Sequence, residues 1–223
     1  MNTLGLDTAT SSTAVALARA DGWLREARDD VAPGDRPAHT QRLLALVVEL
    51  LEAAGIGWAQ IGQVAVGVGP GGYTGLRIGL ASAHGIALAH GAQLVGVGTL
   101  RALAEPVAGR SVAGVLDARR GEAFIAVYRE GEELLSPRVC RPPEIAGLAL
   151  AGGPHTLAIG DGALRFRELI ELGGIAVAPA GSHLHAVSAG AICRLAAGGH
   201  AVAAVPDYQR LADAELALDA RAR

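Results

Sequence analysis

The chain has no lysine: all 19 of its basic residues are arginine, in a sequence of 223 residues with a net charge of −3. That absence removes every mechanism with a lysine at its centre, namely a P-loop cation on a phosphate, a Schiff base, a Ser-Lys dyad or a protein-kinase lysine. Aromatics are almost as scarce, with two Trp, three Tyr and two Phe. So few rings argue against a base-stacking platform for single-stranded nucleic acid, and the mildly acidic balance argues against a broad phosphate-binding face. The two cysteines, Cys140 and Cys193, stand far apart and outside any C-x-x-C pair. Sequence leaves a disulfide open, but two isolated buried thiols in a reducing compartment is the simpler reading. No uncharged apolar run reaches the roughly 18 residues of a membrane helix; the stretch 78–88 is short and interrupted by His84. The opening MNTLGLDTATSS has no basic stretch and carries Asp7 in its apolar run, unlike a secretory signal. A soluble cytoplasmic protein is expected, with no membrane partner.

What is abundant is small. Apolar residues make up 51% of the chain and glycines number 31, about twice the usual share of roughly 7%. The core must therefore be built from Ala, Val, Leu and Ile, with many tight turns and close backbone approaches. Residues 4–7, 14–19 and 23–29 read as a three-strand meander with a turn at Asp21-Gly22. A helix is predicted over 37–54, with Pro37 in its first turn and Gly55 just past its end. A strand at 64–68, a helix at 74–90, a strand at 93–97 and a short helix at 99–105 follow. The pattern then restarts. Residues 111–116 form an apolar strand ending in Asp117, 110 residues after Asp7, and 124–135 echo the hairpin of 14–27. Helices near 142–149, 163–172 and 186–197 and a strand near 156–159 complete the second half. The expectation is an α/β protein of the actin-like class (sugar kinase and chaperone ATPase type), with two lobes of βββ-α-β-α plan at 1–107 and 108–223.

On that plan the first turn of each lobe faces phosphate, yet Asp7-Thr8-Ala9-Thr10-Ser11-Ser12 contains no glycine. In Asp117-Ala118-Arg119-Arg120-Gly121 two arginines occupy the space a triphosphate would need. Strand-end aspartates that hydrogen-bond their own turns explain both equally simply. The richest motif, GVGPGGYTGLRIG at 67–79, follows a strand and opens a helix, where a glycine loop can hold an anion. It lacks the acid of a dinucleotide fingerprint and the lysine of a Walker loop. Gly75, Gly79, Ala83 and Ala87 recur every four residues, so close packing accounts for part of the glycine. No cofactor is assigned; a nucleotide, if held, would be held through Asp7, Thr8, Gly69, Gly71 and Gly72.

The helix 37–54 carries two apolar stripes, Leu43-Val47-Leu50-Ala54 and Leu44-Val48-Leu51, although one suffices to cover a sheet. The surplus face, beside the nearly uncharged helix 74–90, reads as a protein interface through Leu44, Val48, Leu51, Ile78, Ala81 and Leu88; coverage within the chain is the alternative. His183-x-His185, His84 and His90 show no metal-ligand spacing, and Ser111 fits no nucleophile motif. No catalytic residue and no metal site is assigned.

Three segments together carry a resemblance: Asp7-Thr8-Ala9-Thr10, His39-Thr40-Gln41 and the glycine block 67–79. With Asp117-Ala118-Arg119 and Pro206-Asp207-Tyr208-Gln209-Arg210, they resemble the TsaB family of bacterial proteins required for threonylcarbamoyladenosine synthesis on tRNA. The resemblance implies a non-catalytic paralogue of the TsaD transferase. Such a protein would pair with TsaD through its first two helices, form homodimers through the same surface when alone, and help recruit the TsaE ATPase. ATP would then be used by the complex rather than by this chain, and tRNA reached only through it. In TsaD a metal is held by an H-x-x-x-H pair; Thr99 and Leu103 stand at the matching positions here and cannot replace it. A stand-alone actin-fold ATPase or kinase, and a metal-dependent glycoprotease-like hydrolase, are the competing readings.

Overall fold

The computed structural model describes residues 1–31, 35–107 and 109–209. Strands β1 (Asn2–Asp7), β2 (Thr13–Ala18) and β3 (Leu24–Asp29) form the antiparallel meander, and β4 (Ile61–Gly69) and β5 (Gln93–Gly98) extend it in parallel, in the order β3-β2-β1-β4-β5. The second sheet contains β6 (Ser111–Arg119), β7 (Glu122–Arg129), β8 (Glu132–Cys140), β9 (Leu157–Ile159) and β10 (Ala176–Val177), in the order β10-β9-β6-β7-β8. Read from the β8 end, the second order matches the first position for position. The repeat legible in the sequence is thus a repeat of topology, and the plan is the actin-like one.

Strand alternation decides what each face of the first sheet receives. Leu4, Leu6, Val15 and Leu17 point to one side, into a core shared with α1 (His39–Ala54) and α2 (Tyr73–His90). Ala14 and Ala16 point to the other, where Ala189 and Cys193 of α7 (Ala189–Ala197) meet them. The approach is close because Gly5 has no side chain; a Cβ there would lie 2.6 Å from the Ala189 carbonyl oxygen and 2.7 Å from Cys193 Sγ. Glu26 of β3 fastens the start of α7, accepting hydrogen bonds from Ser188 Oγ (2.7 Å) and Gly190 N–H (2.9 Å). Helix α3 (Thr99–Ala104) packs on strands of both sheets, while α4 (Ile145–Ala149), α5 (Asp161–Arg165) and α6 (Arg167–Leu172) cover the second.

Past α7 the chain returns to the first lobe. Val202 and Gly96 exchange both backbone hydrogen bonds (2.8 and 2.9 Å), and the Asp207 N–H reaches the Val68 carbonyl (2.7 Å). This segment, 201–209, straps the edge of β5. Helix α7 and the strap, which follow the expected division at 107/108, thus pack on the sheet of the first lobe. Residue 108 and Arg210 lie outside the described residues.

Several boundaries differ from expectation. Helix α1 begins at His39, because the Ala38 carbonyl already accepts the N–H groups of Gln41 and Arg42 and Pro37 precedes the cap. The single helix expected over 163–172 is two, divided at Phe166, whose ψ of 21° breaks the helical run. The helix expected from 186 starts at Ala189, where Ser188 Oγ accepts the Ala191 N–H. Strand β10, two residues long, carries no periodic signal. Both cysteines are buried and unpaired, and no helix among the described residues is long and apolar enough to cross a membrane.

Candidate functional site

The turn after β1 and the glycine block are one packed unit. Asp7, 1% exposed, accepts the Ala9 N–H at Oδ1 (3.0 Å) and the Thr99 hydroxyl at Oδ2 (3.2 Å). Thr99 Oγ1 in turn accepts the Gly69 N–H (3.1 Å). The Thr8 hydroxyl donates to the Gly75 carbonyl and the Gly72 N–H to the Ala9 carbonyl, each at 2.7 Å. A Cβ at Gly75 would overlap the Thr8 carbonyl oxygen, one at Gly79 the Thr8 hydroxyl, and one at Gly71 the Ala9 carbonyl oxygen. Of the five residues expected to hold a nucleotide, Asp7, Thr8, Gly69 and Gly72 make hydrogen bonds within the protein, and Gly71 packs on Ala9 and with Gly72 lines the cleft between the lobes. Glycine is needed there so that α2 can lie against the first turn. Burial pushes the Asp7 carboxyl up to about 6, against the two hydrogen bonds that favour its charge.

His39 ties α1 into the same unit. It is buried, its Nδ1 lies 2.9 Å from the Thr13 hydroxyl of β2, and burial holds its pKa down. Asp117 repeats the Asp7 arrangement in the second lobe, accepting the N–H two residues on, from Arg119, at 2.9 Å. Arg165 reaches its other oxygen at 2.7 Å, and Asp161, raised by burial, accepts the Asp117 N–H at 3.0 Å. Between the lobes a cleft of about 500 Å³ is lined by Thr10, Ser11, Arg36, Tyr73, Asp117 and Arg119, among others. Among the described residues no three His, Cys, Asp or Glu side chains come together to hold a metal ion. Thr99 is committed to Asp7, and Leu103 is fully buried in the core.

The outer helix face is the second candidate. Leu44 (48% exposed) and Val48 (39%) project from α1, and Leu88 (88%) and Ala81 from α2, while Ile78 is half-buried. Leu51 does not belong with them. It lies in the core with Leu50, because seven residues fall about 20° short of two helical turns and Ile56 and Trp58 pack on that core. Gly85, on which the sequence carries no signal, stands exposed in the middle of α2, and a Cβ there would meet nothing within 4 Å. A second cluster that sequence could not assemble joins α2 to the strap: the Tyr73 and Tyr208 rings are 5.2 Å apart and Arg77 lies over Tyr73 at 4.2 Å.

A family model described as "TsaD: tRNA N6-adenosine threonylcarbamoyltransferase" matches residues 35–211. Escherichia coli TsaB, a tRNA threonylcarbamoyladenosine biosynthesis protein, is 37% identical over 136 residues, covering 59% of this chain and 57% of that one. The chain belongs to the TsaB family. The solved structure of YeaZ from Pseudomonas aeruginosa agrees with a TM-score of 0.76 at 27% identity, over 93% of this chain and 99% of that one. An uncharacterized Mycobacterium leprae protein is 33% identical over 159 residues, 70% of this chain. The matched part spans only 44% of that protein's length, as it spans 57% of Escherichia coli TsaB. Within this TsaB-family chain the region matched by the family model runs from just before α1 to the strap, and so contains the glycine block, Thr99 and both outer helices, while Asp7 precedes it.

Proposed function

We propose that this chain serves tRNA threonylcarbamoyladenosine synthesis as an assembly and activating subunit. It binds a TsaD-type transferase through the outer face of α1 and α2 and helps recruit a TsaE-type ATPase. Alone, it pairs with a second copy through the same face. The reading is carried by one observation: Leu44, Val48, Ala81 and Leu88 stand exposed on two adjacent helices. An apolar patch of this kind costs solubility unless a partner covers it. Gly85 supports the reading, since a mid-helix glycine costs about 0.5–1 kcal/mol relative to alanine and no neighbour among the described residues requires it. Catalysis and nucleotide turnover belong to the partners, and tRNA is reached through them.

Reconstituting tRNA modification with and without this chain tests the proposal. Modification should fall sharply in its absence, and undiminished modification would sink the idea. The cleft beside the first turn of α2, with Arg36 and Arg119 on its walls, favours one rival, nucleotide binding by the chain itself. Calorimetry with ATP and magnesium should show no tight site; tight binding with phosphate release by the isolated chain would establish the rival instead.

A further inference from the structure

The strap turns its larger side chains outward. Val202 is 52% exposed and Val205 63%, Tyr208 follows at 43%, and within residues 201–209 it is Ala204 that packs on the first-lobe core. An edge segment that served only to cover β5 would gain by turning its valines inward. The first lobe is nonetheless shaped to receive it. A Cβ at Gly96 would lie 2.6 Å from the Ala203 carbonyl oxygen, and one at Gly69 would lie 3.0 Å from that of Asp207. His84 Nε2 lies 3.4 Å from the Ala204 carbonyl oxygen, and Arg77 Nε donates to the Tyr208 hydroxyl at 3.2 Å. The strap therefore runs along α2 from its middle to its first turn. Since α1 packs on β2 and β3, α2 on β4, and the strap on the edge of β5, α2 lies between α1 and the strap.

We propose that residues 201–209 form a third strip of the partner face, beside α1 and α2, and that the TsaD-type transferase covers all three. This rests on the function proposed above. Residues 201–206, AVAAVP, carry no charge, and an uncharged strip gives a phosphate backbone nothing to bind. The occupant is accordingly the apolar surface of a protein, continuous with the part that covers Leu88 and Val48.

The full chain carrying Val202→Asp, Val205→Asp, Val48→Glu or, as a control on the second lobe, Leu172→Glu can be titrated with the transferase paralogue from the same organism. Thermal midpoints serve as the folding check. All four sites are exposed, so midpoints should stay near that of the native chain. Val48→Glu should abolish binding, each strap variant should weaken it about tenfold or more, and Leu172→Glu should leave it unchanged. If Val48→Glu abolishes binding while both strap variants bind as the native chain does, the strap proposal is overturned and the proposed function stands. If Val48→Glu binds normally as well, the helix-face reading falls and takes the strap with it. Strap variants that keep their transferase affinity but lose retention of tRNA would replace the protein occupant with RNA.

Discussion

Asp7 closes a nearly sealed knot of hydrogen bonds, and its carboxyl is held at about 6 by burial. The folded chain binds that proton more tightly than the unfolded chain does. Stability therefore falls as pH rises from the ordinary carboxylate range to about 6, then levels off. The share from Asp7 is roughly 3 kcal/mol, and Asp161, also raised by burial, acts in the same direction. Urea unfolding between pH 4 and 7.5 should show this decline in the native chain and a shallower one in Asp7→Asn. Equal slopes would show that Asp7 is not the titrating group. Gly75 allows a second test at this scale. A Cβ there would overlap the Thr8 carbonyl oxygen, so Gly75→Ala should lower stability by about 1–3 kcal/mol, read from the denaturation midpoint.

At the level of elements, Gly85 has the opposite sign. Its surroundings are open, so Gly85→Ala should raise the stability of the isolated chain by about 0.5–1 kcal/mol. Gly85→Trp should leave folding intact and weaken association, measured by sedimentation. The contrast marks what was legible in the sequence. Strand alternation, the turn at Gly55 and the 110-residue offset between Asp7 and Asp117 were enough to place most elements, while the two-residue β10 and the break at Phe166 left no signal. The nature of the glycine block was not legible, because loop function and tight packing require the same residue; the carbonyl oxygens of Thr8 and Ala9 establish the packing at Gly75 and Gly71. Leu51 was misplaced since a stripe drawn every seven residues drifts toward the core. Val202 and Val205 escaped notice because a segment of nine residues without periodicity yields its neighbours only when the chain is folded.

For the whole molecule, the first lobe is closed by the chain's own C-terminal half. Helix α7 fills the inner face of its sheet through Ala189 and Cys193, and the strap covers its edge. The outer face of α1 and α2 is left with Leu44, Val48, Ala81 and Leu88 exposed. The proposed function places the working residues on that face. Association with the transferase paralogue, measured for the native chain and for Leu44→Glu and Val48→Glu at equal thermal stability, is the most direct measurement. The expected result is a stable complex with the native chain and none with either variant, because a charge on a desolvated apolar seam is left unpaired. Complexes of equal affinity for all three would contradict the assignment of this face to the partner.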